Sequence, residues 1–392
     1  ARSSDIHIEP DETVVRIRQR VDGVLQEQVM KEKRVNAALV LRLKLMAGLN
    51  ISEKRLPQDG RFNVRVKGRS IDVRVSTMPV QYGESVVMRL LDQSQGTLDL
   101  ESTGMPPHLL DRFRKLIKKP HGMILVTGPT GSGKTTTLYG ALTELNKAEV
   151  KIITAEDPVE YRLPRITQVQ VNPKIGLEFA TVLRSALRQD PDIILVGEMR
   201  DHETVEIGLR AAMTGHLVLS TLHTNDSISS AMRLIDMGAE PFLVASSLLG
   251  VVAQRLVRRV CDNCKETYQP TEQELVWLQS FDLDPLDIEA GFVHGRGCYQ
   301  CSNTGYKGRV GVYEMLEMNE DMLDALRRKD VSDFTRAARR SPLFRPLGQC
   351  AMDYALQGVT SLQEVARVAA TSEGALLEGD DLAADGAIGV DD

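Results

Sequence analysis

Gly128-Pro-Thr-Gly-Ser-Gly-Lys-Thr135 carries every fixed residue of the spacing G-x-x-x-x-G-K-[ST]. Such a run does phosphate chemistry. Gly128, Gly131 and Gly133 let successive backbone N–H groups turn inward around phosphate oxygens, with Pro129, Thr130 and Ser132 completing the cradle. The ammonium of Lys134 reaches the β- and γ-phosphates, and the hydroxyl of Thr135 is placed for Mg2+. A helix entered near Gly133 and running on through Thr136 adds the positive end of its dipole. The apolar run 123–127 before the motif and the helical pattern after it supply the strand–loop–helix setting that the motif requires.

Hydrolysis of a bound triphosphate needs two further things: a group that organises Mg2+ and a group that positions water. Ile193-Ile-Leu-Val-Gly-Glu198 is an apolar strand ending in a carboxylate, which makes Glu198 a candidate for either task. The alternative is a surface acid at a strand end. Ile153-Thr-Ala-Glu-Asp-Pro-Val-Glu160 also follows a buried-strand pattern, and Pro158 bends the chain so as to turn Glu156 and Glu160 toward the same cleft. Taken alone, such an acidic run is a solvated loop. His216 and His223 flank the strand 217–222, where each is either a satisfied polar residue or a sensor of the γ-phosphate.

Four of the five cysteines form two Cys-x-x-Cys pairs, Cys261/Cys264 and Cys298/Cys301. Two such pairs in a cytosolic chain suit a tetrahedral Zn2+ better than a disulfide framework or redox chemistry. Four cysteine ligands leave no open position, so the metal is expected to be structural, closing an insertion too short for a core of its own. Cys350 has no partner in sequence and is expected to be a buried small apolar residue.

The elements that must position these groups fall into two patterns. Residues 1–92 read as a small α+β domain: alternating apolar and charged residues at 14–21, an Asp22-Gly23 turn, helical spacing over 34–47, and strands at 62–66, 71–76 and 85–91. Residues 93–107, with Gly96, Gly104 and two prolines, are expected to be a linker. From 108 to 370 short continuous apolar runs (122–127, 150–154, 193–196, 217–221) alternate with helical patterns at 134–146 and 178–188. That alternation is the mark of an α/β fold with a buried parallel sheet. Residues 261–301 form the cysteine-bounded insertion, and helices are expected from there to about 370. The tail 371–392 holds seven acidic residues and no Lys or Arg, and is expected to be disordered. Without it the net charge of −6 vanishes, so the chain lacks the basic excess of a general nucleic-acid binder. No apolar stretch is long enough to span a bilayer and no signal peptide opens the chain. It starts at Ala1 without an initiator methionine, which points to a truncated or missing upstream domain.

Taken together, these segments resemble the ATPases of type II secretion and type IV pilus assembly. The likeness rests on the phosphate loop, the acidic segment 154–161, the strand 193–198 with Met199-Arg200-Asp201, and Gly215-His-Leu-Val-Leu-Ser-Thr-Leu-His-Thr-Asn225. In the small domain it rests on residues 4–10, 55–61 and 72–79. The resemblance covers roughly 3–368. It implies a cytoplasmic homo-hexamer, peripheral to the bacterial inner membrane, in which a PAS-like domain is linked to a RecA-like ATPase domain. It implies arginines of the small domain that reach the phosphates, with Arg74 and Arg89 first and Arg61 next. Glu160 resembles the family's catalytic glutamate, Glu198 its Walker B acid, and His223 the histidine nearest the nucleotide. The implied cofactors are ATP, Mg2+ and Zn2+, and the implied partner is an inner-membrane platform protein. The cysteine insertion resembles assembly and secretion members rather than pilus-retraction ones. The wording of 83–92 and 161–165 is similar to that of MSHA-type pilus ATPases, whose upstream domains serve docking and in some members cyclic di-GMP binding.

Two other classes compete with a motor. A nucleic-acid-directed RecA-like motor would need basic loops interleaved with aromatics. Aromatics are only 4%, and Arg255, Arg258 and Arg259 form one short run, expected on a solvated helix face or at a subunit contact. A non-catalytic nucleotide-binding scaffold would lack the acids that Glu160 and Glu198 supply.

Overall fold

The computed structural model describes residues 3–92, 99–281, 283, 286, 288 and 291–370. The chain divides into two compact units after residue 97.

Alternation builds the first unit. Strands β1 (Ser3–Pro10), β2 (Val15–Val21), β3 (Val24–Met30), β4 (Gln58–Val66), β5 (Arg69–Val80) and β6 (Gly83–Asp92) form an antiparallel sheet in the order β3-β2-β1-β6-β5-β4. The hairpin turns Asp22-Gly23 and Lys67-Gly68 both have positive φ at their two residues, the twist a two-residue hairpin requires. One sheet face carries Ile8, Val73, Val75 and Val86, and packs with Val40 of helix α1 (Arg34–Met46). Period two then sends Asp5, Arg74 and Arg89 to the opposite face.

In the second unit the apolar runs become a seven-stranded sheet. It comprises β7 (Gly122–Thr127), β8 (Ile152–Glu156), β9 (Thr167–Gln170), β10 (Ile193–Val196), β11 (Leu217–Leu222), β12 (Leu248–Val260) and β15 (Tyr306–Glu317), in the order β15-β12-β7-β11-β10-β8-β9. All neighbours are parallel except the edge pair β12–β15. Every residue of β7, β8, β10 and β11 is buried. Successive residues serve opposite cores. Ile124, Val126, Leu195 and Leu219 pack with α2 (Pro107–Ile117) and α3 (Lys134–Leu145). Met123, Leu125, Ile194 and Val218 pack with α4 (Phe179–Ala186), α5 (His202–Met213), α6 (Ser227–Asp236) and α7 (Pro241–Ser247). The cysteine insertion holds β13 (Lys265–Tyr268), α8 (Glu272–Leu278) and β14 (Phe292–Gly295), with β13 and β14 paired antiparallel.

Several expectations meet a different outcome. Residues 306–317, expected to be helical, are the edge strand β15. The arginine run lies on β12, not on a helix face: Arg255 is buried, and Arg258 pairs with Glu364 at 2.8 Å and stacks on Tyr306. Arg255 is thus held inside, Arg258 is half-buried and paired, and Arg259 is exposed. Of the segment read as a linker, 93–98 lies outside the described residues, while Leu100 and Met105 are buried beside α2. The acidic tail 371–392 also lies outside the described residues. Among the described residues no helix is long and apolar enough to cross a membrane.

Candidate active site

Parallel pairing brings the carboxyl ends of β7, β8, β10 and β11 to one edge, where α/β sheets bind ligands. The phosphate loop leaves β7 there. Gly128 has φ +146°, and a Cβ on it would lie 2.4 Å from the Gln254 carbonyl oxygen. Gly133 has φ +89°, and a Cβ would lie 2.7 Å from Gln254 Nε2. Both positions therefore exclude any side chain. Gln254, on β12, is the loop's floor: its Nε2 donates to the Ser132 carbonyl at 2.9 Å, and its Oε1 accepts from Thr137 Oγ1 at 2.7 Å. Sequence reasoning missed it, because nothing local marks a glutamine 120 residues away as part of the loop.

Pro129, Thr130 and Gly131 form the exposed crest, with Thr135 exposed and Thr136 half-buried in the first turn of α3. Lys134 Nζ donates to the carbonyls of Gly128 at 2.7 Å and Pro129 at 3.1 Å, at the centre of the loop. Burial lowers its pKa to about 8; the charge of Glu198 opposes that shift and Arg255 adds to it. The hydroxyl of Ser132 is buried without a hydrogen-bond partner among the described residues. An inward ammonium, an unsatisfied donor and left-handed glycines fit a triphosphate.

Glu198 lies two residues past β10, half-buried. One carboxylate oxygen accepts from Arg200 Nη2 at 2.5 Å, and the other is 3.6 Å from His223 Nε2. Arg200 also donates to Asp157 at 3.2 Å, so it ties the two acidic segments together. The structure thus gathers Lys134, Glu198 and His223. His216 is a correction: it precedes β11, at the opposite end of the strand, where its Nδ1 lies 3.1 Å from the Ala211 carbonyl. Six strand residues, roughly 20 Å, separate it from His223.

Glu156 is corrected too. Its carboxylate is buried and accepts from Tyr139, from Thr154 Oγ1 at 2.5 Å and from Gln168 Nε2 at 3.2 Å, so it belongs to the core. Tyr139, on α3, also accepts from the Glu160 backbone N–H at 3.3 Å. One phenol thus joins the phosphate-loop helix to the segment that carries half-buried Glu160. Its only sequence signal is an aromatic on the buried face of that helix.

In the first unit, backbone register aligns Arg61 with Arg74, Arg74 with Arg89, and Arg89 with Asp5. Arg89 Nε donates to Asp5 at 3.1 Å. Like charges set directly opposite are unfavourable, and the Asp5 carboxylate answers this row of three arginines at its Arg89 end.

The four cysteine sulfurs lie within 4.8 Å of one another. Cys261–Cys298, Cys264–Cys301 and Cys298–Cys301 are 3.9, 3.8 and 3.8 Å apart. Tetrahedral sulfurs at a Zn–S length of about 2.3 Å stand about 3.8 Å apart, so the donor set fits that ion. Asn263 Nδ2 donates to Cys298 at 3.4 Å and, with the amides of Cys301 and Gln300, brings that thiol down to about 6, whereas burial pushes the Cys264 thiol up to about 12. Cys350 is buried in a different cluster, as expected.

Comparison with known proteins places this geometry. The family model for "Type II/IV secretion system protein" matches residues 1–367. The chain is 50% identical over 366 residues to the type II secretion system ATPase E of Vibrio cholerae serotype O1, covering 93% of this chain and 72% of that protein. It is also 50% identical to the type II secretion system protein HxcR of Pseudomonas aeruginosa, covering 93% and 74%. This chain belongs to that secretion family. Among solved structures, the pilus retraction motor PilT with bound ADP has a TM-score of 0.63 at 26% identity, covering 94% of this chain and 93% of that one. The Legionella pneumophila ATPase DotB shares the fold, with a TM-score of 0.65 at 22% identity, covering 94% and 92%. With an intact phosphate loop on this scaffold, the chain is a secretion ATPase: it hydrolyses ATP, and the hydrolysis is coupled to secretion.

The depressed pKa of Lys134 has a measurable consequence for this secretion ATPase. Its ammonium is complete well below pH 8 and is lost as pH rises through about 8, whereas bound phosphates hold the proton on. ATP binding at pH 8 should therefore take up about half a proton at this residue, and uptake should fade by pH 6.5. Titration calorimetry in buffers of different ionisation heat reads this directly.

Proposed function

We propose that this chain is one subunit of a homo-hexameric cytoplasmic motor, peripheral to the bacterial inner membrane. It couples ATP binding and hydrolysis to motion between a PAS-like first unit and a RecA-like second unit. The work is delivered to an inner-membrane platform protein and drives type II protein secretion or the assembly of an MSHA-like type IV pilus. The 50% identity to proteins named for type II secretion favours the first cargo. The observation that carries the reading is the meeting of Lys134, Glu198 and His223 at the carboxyl edge of the sheet.

In this reading the loop amides and Lys134 grip the phosphates, and Thr135 and Glu198 would hold Mg2+, which would supply charge neutralisation to the triphosphate. Glu160 positions and deprotonates the attacking water. His223, through its contact with Glu198, reports whether the γ-phosphate is present. Arg74 and Arg89, with Arg61 beside them, neutralise charge developing on the phosphoryl group. Cys261, Cys264, Cys298 and Cys301 hold Zn2+, which staples the insertion and takes no part in hydrolysis.

Purified wild type, Lys134→Ala and Glu160→Gln separate these roles, each assayed for ATP turnover with and without the cytoplasmic part of the platform protein. Lys134→Ala should lose nucleotide binding. Glu160→Gln should bind ATP normally and turn it over about a hundredfold or more slowly; turnover at the wild-type rate removes Glu160 from the chemistry.

Elemental analysis should find about one zinc per chain, lost with a lowered melting temperature in Cys261→Ser. Metal-free protein of undiminished stability would end the zinc assignment.

A further inference from the structure

Glu314 is an acidic residue only 3% exposed, on the edge strand β15, that the hydrolytic chemistry does not use. Its carboxylate has a divided task. Oε1 accepts from the Ser227 backbone N–H at 2.8 Å and from Ser227 Oγ at 2.5 Å. Oε2 accepts from the Leu347 N–H at 3.1 Å. Ser227 and Leu347 are the first residues of two helices, α6 and Leu347–Leu356. The second helix follows Pro346, which offers no side-chain acceptor, so its first amide depends on a carboxylate from another element. One buried carboxyl thus joins the first residues of two helices; burial pushes its pKa up, and the hydrogen bonds from Ser227 and Leu347 oppose that shift.

What lies on either side of this junction gives it meaning. Upstream of Ser227 is the short loop that begins at His223. Its Thr224 N–H donates to Thr127 Oγ1 at 3.1 Å, at the root of the phosphate loop. The Asn225 carbonyl accepts from buried Arg255 at 2.9 Å. The loop is therefore pinned at successive residues between the nucleotide edge and Glu314. Downstream, the helix Leu347–Leu356 packs Ala351, Met352 and Ala355 in one cluster with Leu278 and Phe292 of the cysteine insertion. Its Tyr354 hydroxyl donates to the Gly104 carbonyl, and Tyr313, the neighbour of Glu314, donates to the Thr103 carbonyl at 2.9 Å. Residues 103–104 lie on the segment that leads back along the chain to the first unit.

We propose that Glu314 is a positioning residue that transmits the state of the His223 loop to the helix Leu347–Leu356, and through it to the cysteine insertion and the segment at Thr103–Gly104. A displacement of His223 toward a γ-phosphate shifts Ser227, the shared carboxylate follows, and the first amide of the second helix moves with it. Glutamine at this position keeps the shape but not the function. A carboxamide has one acceptor oxygen, so whichever helix that oxygen caps, the NH2 group meets an N–H donor at the other. The inference rests on the second unit being an ATP site.

The test is hydrogen exchange on the full chain, with and without a non-hydrolysable ATP analogue and Mg2+, in wild type and Glu314→Gln. In wild type the analogue should slow exchange at 128–136, at 223–230 and at 347–356. In Glu314→Gln the first two responses should persist, and the response at 347–356 should shrink about tenfold. A merely structural role would speed exchange everywhere without separating these segments. Equal responses at 347–356 in both proteins overturn the proposal, as does a wild type that responds at 223–230 but not at 347–356. A wild type silent at 128–136 instead overturns the nucleotide reading, and this inference with it. Should Glu314→Gln fail to fold, Ser227→Ala, which removes only the hydroxyl bond, takes its place. It should reduce the response at 347–356 while leaving that at 128–136 intact, and an unreduced response counts against the proposal.

Discussion

The pairing of β7 with β11, which sets Leu222 opposite Thr127, is the constraint on which the site depends. Those are the last residues of two parallel strands, and the next residues are the phosphate loop and His223. The same sheet carries β10 and β8 in parallel, so Glu198 and the segment with Glu160 leave from the same edge. Register in a sheet buried on both faces is strongly specified, since a slip by one residue exchanges the contents of the two cores. The apolar residues of β7, β10 and β11 are therefore as responsible for the relative placement of lysine, acid and histidine as those groups themselves.

Around that edge, charges are placed so that few stand alone. Lys134 sits near Glu198, Glu198 is held by Arg200, and Arg200 reaches Asp157. Behind the loop, Gln254 takes the neutral role: its amide satisfies a carbonyl and a hydroxyl where a charge would be costly to bury. Arg255 and Glu314 are buried behind the His223 loop and hydrogen-bond to backbone groups there. A buried rear wall lowers the local dielectric, which strengthens the field that the front of the site turns on the incoming phosphates.

The first unit and the cysteine insertion follow other rules. In the first unit, an antiparallel sheet with one apolar face is free to present charged residues on the other, and the ladder Arg61, Arg74, Arg89 uses that freedom at an electrostatic cost. Among the described residues of the insertion are the short strands β13 and β14 and the short helix α8, and its Leu278 and Phe292 pack with Ala351 and Met352 outside it. Its four cysteine sulfurs stand at a spacing that suits a tetrahedral metal, which would tie together elements too short to build a core alone.

The sequence by itself determined the local chemistry: the phosphate loop, the buried strands that feed it, the paired cysteines and the hairpins of the first unit. These are encoded by spacing within a few residues, where backbone geometry leaves little choice. It also determined family membership, because several such segments occur together. Tertiary structure alone decided which groups meet. It separated His216 from His223, two histidines that look alike along the chain but sit at opposite ends of one strand. It retired Glu156 into the core while leaving Glu160 half-buried. It turned an arginine run into a strand and supplied Gln254, Tyr139 and Glu314, each serving a segment far away in sequence. The physical reason is that hydrogen bonds and burial act through space: which partner satisfies a buried polar group depends on sheet order, and sheet order is set by the packing of the whole unit.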